Sequence, residues 1–147
     1  MNIGWLLFGF QGRINRAKFW LTIPLTFIGL SFLLWIVGGA LLARGADVPV
    51  TASPTYAVVI SALFFTVFAA SIAAVGVKRL HDRDKSGWWL VLFYFAPAAL
   101  DRPGPYSGME EVFEAASFGL SLWALVELGF LRGTGGPNRY GPDPLAA

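Results

Sequence analysis

Long runs of uncharged, apolar residues dominate the hydrophobic pattern of this chain. Residues 19–43 and 48–77 contain no Asp, Glu, Lys or Arg. Each run is longer than the roughly 20 helical residues that cross a hydrocarbon core. A helix in a soluble protein would carry a polar face over such a length. Once the turn-forming residues of 44–55 are set aside, the pattern predicts membrane-spanning helices at about 19–43 and 56–77.

The second half of the chain predicts two further spans. Residues 87–100 are apolar, but a helix of that length covers only about 21 Å, so this span either takes in flanking residues or remains partial. Residues 115–131 form a fourth span, which Glu127 interrupts. The Pro, Gly and Glu residues of 101–114 predict a polar loop, and the Gly and Pro residues of 132–147 predict an irregular surface tail.

The N-terminal segment, residues 1–18, combines aromatic and basic side chains. Aromatic residues from Trp5 onward are followed by basic residues between Arg13 and Lys18. This combination is typical of a short segment lying in the lipid headgroup zone, and a partner-binding arm is the alternative. The apolar start is too short for a cleavable signal peptide and precedes the basic residues, so we expect the first span to act as an uncleaved anchor.

Composition agrees with a single membrane domain, residues 1–147. The chain is 56% hydrophobic and 14% charged, whereas about 25% of residues are charged in a typical soluble domain. We interpret the net charge of +2 as loop charge beside anionic lipid headgroups, not as nucleic-acid binding. The absence of cysteine excludes disulfides and thiolate chemistry. The predicted fold class is an all-α integral membrane protein, a four-transmembrane-helix bundle with a short N-terminal interfacial segment.

The distribution of basic residues predicts the orientation of this bundle. With four spans and a cytoplasmic N-terminus, nine of the 11 Lys and Arg residues fall on the cytoplasmic side, namely Arg13, Arg16, Lys18, Lys78, Arg79, Arg83, Lys85, Arg132 and Arg139. Only Arg44 and Arg102 fall on the other side. Because cytoplasmic loops carry an excess of Lys and Arg, we expect both termini to be cytoplasmic.

The segment of residues 78–89, KRLHDRDKSGWW, is the densest charged part of the chain. The two tryptophans that end it suit the aromatic belt at a membrane interface, and Ser86 is predicted to cap the following helix. His81 beside Asp82 raises a proton-transfer or metal-binding hypothesis. One histidine without cysteine is a small ligand set for a metal. We therefore expect no catalytic residue, no metal site and no cofactor.

Three motifs carry a resemblance to a known family. FGFQGRINRAKFW near the start, VKRLHDRDKSGWW in the middle and GGPNRYGPDP near the end resemble, in the same order, the signatures of the domain of unknown function 805 family. The resemblance covers nearly the whole chain and implies a small, multi-pass protein of the bacterial inner (plasma) membrane. It implies no activity. Residues 98–114 depart from the compact link expected in the family, since they are longer and more acidic.

Under the predicted topology the three motifs meet on the cytoplasmic face and form an interfacial clasp. Its candidate residues are Arg13, Arg16, Arg79, His81, Asp82, Arg83, Ser86, Trp88, Trp89, Asn138, Arg139 and Asp143. We predict that Arg79 or Arg83 pairs with an acid in this layer, because a half-buried charge needs a partner. The four basic residues of 78–86 are also expected to contact anionic lipid phosphates.

Glu127 is a separate candidate, because an ionisable residue within a predicted span is by default a functional hypothesis. It lies five residues before Arg132, so we interpret it as reaching the cytoplasmic interface. A buried proton or ion site is the alternative.

The leading functional interpretation is a non-enzymatic structural or interaction module. Its expected partners are anionic membrane lipids and another membrane protein or a second copy, which would pack on the small residues Ala62, Ala69, Ala73 and Gly76. Two alternatives remain. One is an oligomeric small transporter or channel subunit that uses Glu127, and the other is a lipid-headgroup binder or enzyme that uses His81 and Asp82.

Overall fold

The described part of the chain is helical. The computed structural model describes residues 2–43, 54–100 and 108–146. Its elements are α1 (Ile3–Phe8), α2 (Arg16–Ala43), α3 (Pro54–Asp82), α4 (Trp89–Leu100) and α5 (Glu110–Leu125), which continues into a π-helical segment (Val126–Phe130). Within those residues no strand forms, and the only β-type pairing is an isolated bridge between Asn138 and Gly141. The all-helical prediction is confirmed for these residues.

Three of the described helices are long and apolar enough to cross a membrane. They cover Arg16–Gly39, Val58–Asp82 and Glu110–Phe130, whereas α4 is a shorter apolar helix. Many of their large apolar side chains are exposed, with Trp35 of α2 at 73% and Phe118 of α5 at 70%. Such surfaces are expected where lipid replaces water as the solvent.

The helices form two antiparallel pairs. In the first pair, the start of α2 lies beside the end of α3, and Thr26 of α2 meets Ser71 of α3 at 3.5 Å between hydroxyl oxygens. In the second pair, Trp89 at the start of α4 contacts the Trp123 ring of α5 at 5.6 Å between centroids. Four helix ends therefore gather at one end of the molecule: the start of α2, the end of α3, the start of α4 and the end of the π segment.

The two pairs are joined at this same end. Trp20 of α2 donates its indole N–H to the Gly129 carbonyl of the π segment at 3.0 Å. Gly129 is required there, because a Cβ would lie 2.6 Å from the Trp20 ring. The buried apolar core is also here, and its members are Ile14, Phe19, Val75, Leu80, Leu90, Phe93 and Leu128.

Two predicted boundaries were wrong. The second helix was predicted to end at residue 77, but α3 continues to Asp82, because the side chains of its last residues find acceptors in neighbouring segments. Glu110 and Glu111 were also expected in a loop, but they lie in the first turn of α5, where acidic side chains interact favourably with the helix dipole. The predicted loop at 44–53, with Arg44, and residues 101–107, with Arg102, lie outside the described residues.

Candidate functional site

The Asp82 carboxylate at the end of α3 is the centre of a buried charge cluster. Its Oδ1 accepts from Arg13 Nε at 3.2 Å, and its Oδ2 accepts from Arg79 Nη1 at 2.5 Å. The side chains of Arg13, Arg79 and Asp82 are 1%, 0% and 4% exposed. One carboxylate therefore neutralises two guanidinium groups that water does not reach.

Arg13 uses its remaining donors to hold the C-terminal tail. It donates to the backbone carbonyls of Thr134 at 2.6 Å, Gly136 at 2.7 Å and Gly141 at 3.2 Å. The tail also binds the backbone of Asp82, whose carbonyl accepts the Thr134 N–H at 2.8 Å. The glycines and prolines of the tail leave its carbonyls without regular partners, so a buried guanidinium can donate hydrogen bonds to several of them.

Arg79 binds backbone carbonyls at the end of the π segment in the same way. Its Nε donates to the Leu128 carbonyl at 2.8 Å, and its Nη2 donates to the Leu131 carbonyl. The last carbonyls of a helix have no partner within that helix. Arg16 contributes a further bond of this kind, to the Phe130 carbonyl at 3.3 Å. These bonds fix the end of the π segment against α3 and the start of α2.

Lys78 holds the N-terminal helix in the same way. Its Nζ donates to the carbonyls of Trp5 and Leu6 at 2.7 and 2.6 Å, at the end of α1. The ammonium also lies 4.7 Å from the centroid of the Trp5 ring, which is within range of a cation–π interaction. Lys78 and Arg79 are both fully buried. The prediction that they contact lipid phosphates was therefore wrong, because backbone carbonyls occupy their donors.

Glu127 belongs to a second, adjacent ion-pair group. Its Oε1 accepts from Arg83 Nε at 2.6 Å and from Lys85 Nζ at 2.9 Å, and the glutamate side chain is 3% exposed. Arg83 also donates to the Arg132 carbonyl at 2.7 Å. The connection between α3 and α4 is thereby tied to the π segment. The prediction that Arg79 or Arg83 pairs with an acid of the layer is met by Arg79 with Asp82. Arg83 pairs instead with Glu127, which was predicted apart from that layer.

His81 lies against the tail. Its ring stacks on Tyr140 at 3.8 Å between centroids and 5° between planes, and its Nδ1 is 3.2 Å from the Gly12 carbonyl oxygen. Asn138 donates to the His81 backbone carbonyl at 2.9 Å. Among the described residues, no three His, Cys, Asp or Glu side chains are grouped so that they could hold a metal.

The remaining predicted residues lie at the edge of the cluster. Asp84 pairs with Arg139 at 3.1 Å, and these side chains are 46% and 61% exposed. The backbone N–H groups of Leu145 and Gly136 bond the Asp143 carboxylate and lower its pKa. The Ser86 hydroxyl accepts the Trp88 N–H at 3.4 Å, which lies in the turn just before α4 and not in the helix that Ser86 was predicted to cap. Trp88 is exposed, and Trp89 packs on Trp123.

Sequence reasoning missed part of the cluster. It did not predict that Lys78 binds α1, and it did not identify Thr134 or Gly133 of the tail as part of the cluster. A Cβ at Gly133 would overlap the Asp82 carboxylate, so only glycine allows the tail to pass that close. The glycine-rich run RGTGG was the available signal for such a close approach.

Apolar helices of membrane-spanning length, closed at one end by buried ion pairs, define a helical membrane protein. The chain belongs to the family described as "Protein of unknown function (DUF805)", which matches residues 7–142. The family assignment made from the three motifs is therefore confirmed.

Three relatives in Escherichia coli (strain K12) are similar over most of their length. The chain is 35% identical to "Uncharacterized protein YiiR" over 97% of this chain and 90% of the relative. It is 28% identical to "Inner membrane protein YhaI" over 92% and 86%, and 27% identical to "Inner membrane protein YhaH" over 92% and 87%. No solved structure matches. The names of YhaI and YhaH agree with a bacterial inner-membrane location.

We expect Asp82→Asn to destabilise the protein by about 3–5 kcal/mol, because it leaves two buried guanidinium groups without their counter-ion. Asp84→Asn is the matched control, because it removes the same charge from an exposed pair and should change stability by about 0.5 kcal/mol or less. Thermal unfolding of both variants in the same detergent measures the difference. Equal melting temperatures for Asp82→Asn and the wild type would show that the cluster does not hold the fold together.

Proposed function

We propose that this chain is a non-enzymatic structural or interaction module of the bacterial inner membrane, which presents a rigid polar cap at the cytoplasmic face. The polar cap consists of residues 2–15, the α3–α4 connection at 83–88 and the tail at 131–146. The observation that carries the proposal is that the buried polar side chains of the cluster all have hydrogen-bond partners. Across the described residues, no buried side-chain nitrogen or oxygen lacks a hydrogen-bond partner.

Buried side chains whose hydrogen-bonding atoms already have partners favour a structural role over a catalytic one. A general base needs a lone pair that can reach a substrate proton. Both oxygens of Asp82 are held by arginines, and Glu127 is held by Arg83 and Lys85. Nδ1 of His81 faces a backbone carbonyl, and its ring is covered by Tyr140. The residues that an enzyme or a proton pathway would use are therefore already engaged in holding segments together.

The proposal includes four membrane crossings with both termini in the cytoplasm. It is supported by the four helix ends that meet at the polar cap and by the concentration of basic residues there. With its π extension, α5 covers about 31 Å, enough for a hydrocarbon core, and it runs back toward the cap. A crossing by α5 requires the chain to reach the opposite side before residue 110. We assign that step to α4, about 18 Å long, and its flanking residues.

Exposed residues of the polar cap are the proposed contact surface for a partner protein. Trp88 and Leu145 are 79% and 74% exposed, and the Arg139 side chain is 61% exposed. Trp88 lies on the α3–α4 connection and the other two lie on the tail, and the buried cluster holds these two segments together. A surface that is already ordered loses little conformational freedom when it binds. The partner is another membrane protein or a second copy of the chain.

Cysteine labelling tests the orientation, and the chain contains no cysteine that would interfere. We expect Met109→Cys, just before α5, to react with a membrane-impermeant maleimide on intact spheroplasts. Leu145→Cys should react only after lysis, because the tail is proposed to be cytoplasmic. Both native side chains are exposed, so access within the fold is matched. Labelling of Leu145→Cys from outside would exclude the four-crossing arrangement.

Site-specific photo-crosslinking in native membranes tests the interaction role. A photoreactive residue at Arg139 or Leu145 of the cap should give a discrete protein adduct, because these positions are proposed to face a partner. The same group at Phe118, exposed on the membrane-spanning part of α5, serves as the control and should give lipid adducts. If neither cap position gives a protein adduct at native expression, the interaction role is wrong.

A further inference from the structure

Two separate cavities lie along the first turns of α2, one polar and one apolar. The polar cavity, about 430 Å³, lies between the start of α2 and the tail, and its lining includes Arg16, Arg132 and Thr134. The apolar cavity, about 480 Å³, lies deeper between α2, α4 and α5, and its lining includes Trp20 and Ile23. The polar cavity is level with the polar cap, and the apolar cavity begins where the membrane-spanning part of the helices begins.

One face of α2 runs through both cavities. Arg16, Trp20 and Ile23 are spaced by four and three residues, so they lie on the same side of the helix. The Trp20 ring marks the boundary, with its N–H bonded to the Gly129 carbonyl. Tryptophan is typical of the level at which headgroups give way to acyl chains. The two cavities therefore follow one another along this face of α2, in the order in which the headgroup and an acyl chain of one lipid would lie.

Two arginines that line the polar cavity have hydrogen-bond donors that no described residue occupies. Arg16 uses one guanidinium nitrogen on the Phe130 carbonyl, at 3.3 Å. The Arg132 side chain is exposed and makes no hydrogen bond or ion pair with any residue that the structure describes. These two arginines can therefore offer donors to an anion.

The two carboxylates that line the same cavity do not cancel this charge. Asp82 is neutralised by two buried arginines. Each Asp143 oxygen accepts a backbone N–H, from Gly136 at 2.9 Å and from Leu145 at 2.9 Å. Because Arg13 and Arg79 outweigh Asp82, the lining together with the partners of Asp82 carries a positive charge.

We propose that this site binds one anionic phospholipid, with its phosphate between Arg16 and Arg132 and an acyl chain in the apolar cavity beside Trp20 and Ile23. This inference deepens the proposed function, because it identifies the lipid partner of the cap, and it rests on the cap lying at a membrane surface. A larger apolar groove of about 820 Å³ lies between α3 and α4, but no charged residue lines it. Charge complementarity therefore selects the smaller, two-part site.

Lipid binding to the purified full-length protein in detergent tests the proposal. The probe is dioleoylphosphatidylglycerol, and dioleoylphosphatidylcholine is the zwitterionic control with the same acyl chains. We expect the double variant Arg16→Gln, Arg132→Gln to lower the affinity for phosphatidylglycerol about 30-fold, the factor that two cations beside an anionic headgroup contribute. The double variant Lys18→Gln, Arg139→Gln removes the same charge elsewhere and should change the affinity less than about threefold.

A second pair of variants tests the acyl-chain half of the site without changing charge. Ser121→Phe fills the apolar cavity and should weaken phosphatidylglycerol binding. Ala69→Phe fills the larger α3–α4 groove and should leave the affinity unchanged. Both native residues are exposed, so these substitutions do not disturb the buried core. Thermal unfolding confirms that each variant is folded before its affinity is compared.

The outcomes separate this site from its alternatives. Equal losses in the two charge variants would mean nonspecific attraction and would overturn the proposal. Tight binding of glycerol phosphate that Ser121→Phe does not affect would mean that the ligand is a soluble phosphate. Dimer formation that Ser121→Phe abolishes in the absence of lipid would mean that a second copy of the chain occupies the site. Either result would overturn the lipid proposal. Binding in detergent has no sidedness, so this result is independent of the maleimide labelling that tests the proposed orientation.

Discussion

The ion pair of Asp82 with Arg13 and Arg79 is the interaction on which the rest of the structure depends. Transferring three charged groups out of water carries a desolvation penalty of several kcal/mol per ion, so the arrangement is stable only when every group has its partners. Asp82 supplies one carboxylate for two guanidinium groups. The remaining donors of Arg13 and Arg79 bind carbonyls of the tail and of the π segment. No single segment can satisfy this cluster alone.

This requirement explains why the helices are organised from one end. The tail, α1 and the π segment each lack regular partners for some carbonyls, and a buried cation of the cluster binds each of them. The apolar core lies at the same end, beside the cluster, and the exposed surfaces of α2 and α5 extend away from it. The packing that the structure describes is therefore concentrated at the end of the helices where the cluster lies.

Much of this arrangement could be predicted from the sequence. Uncharged runs predicted α2 and α3, and the order of three motifs identified the family and which segments would meet. The sequence could not show that Lys78 and Arg79 point inward, because the identity of their acceptors depends on carbonyls left unpaired by distant backbone. The π segment was not predicted either, because no spacing of apolar residues distinguishes it from the α-helix that it continues. Glu127 was treated separately because it lies within a predicted span, and its partners, Arg83 and Lys85, are too far away in sequence to be recognised from the pattern.

A double-mutant cycle between Arg13 and Asp82 tests the central claim most directly. The free energy of unfolding in mixed micelles would be measured for Arg13→Gln, Asp82→Asn and the double variant. If the pair holds the segments together, the effects overlap, and the interaction energy should be at least about 1.5 kcal/mol. Effects that add within about 0.5 kcal/mol would show that the two residues act independently and would contradict the account.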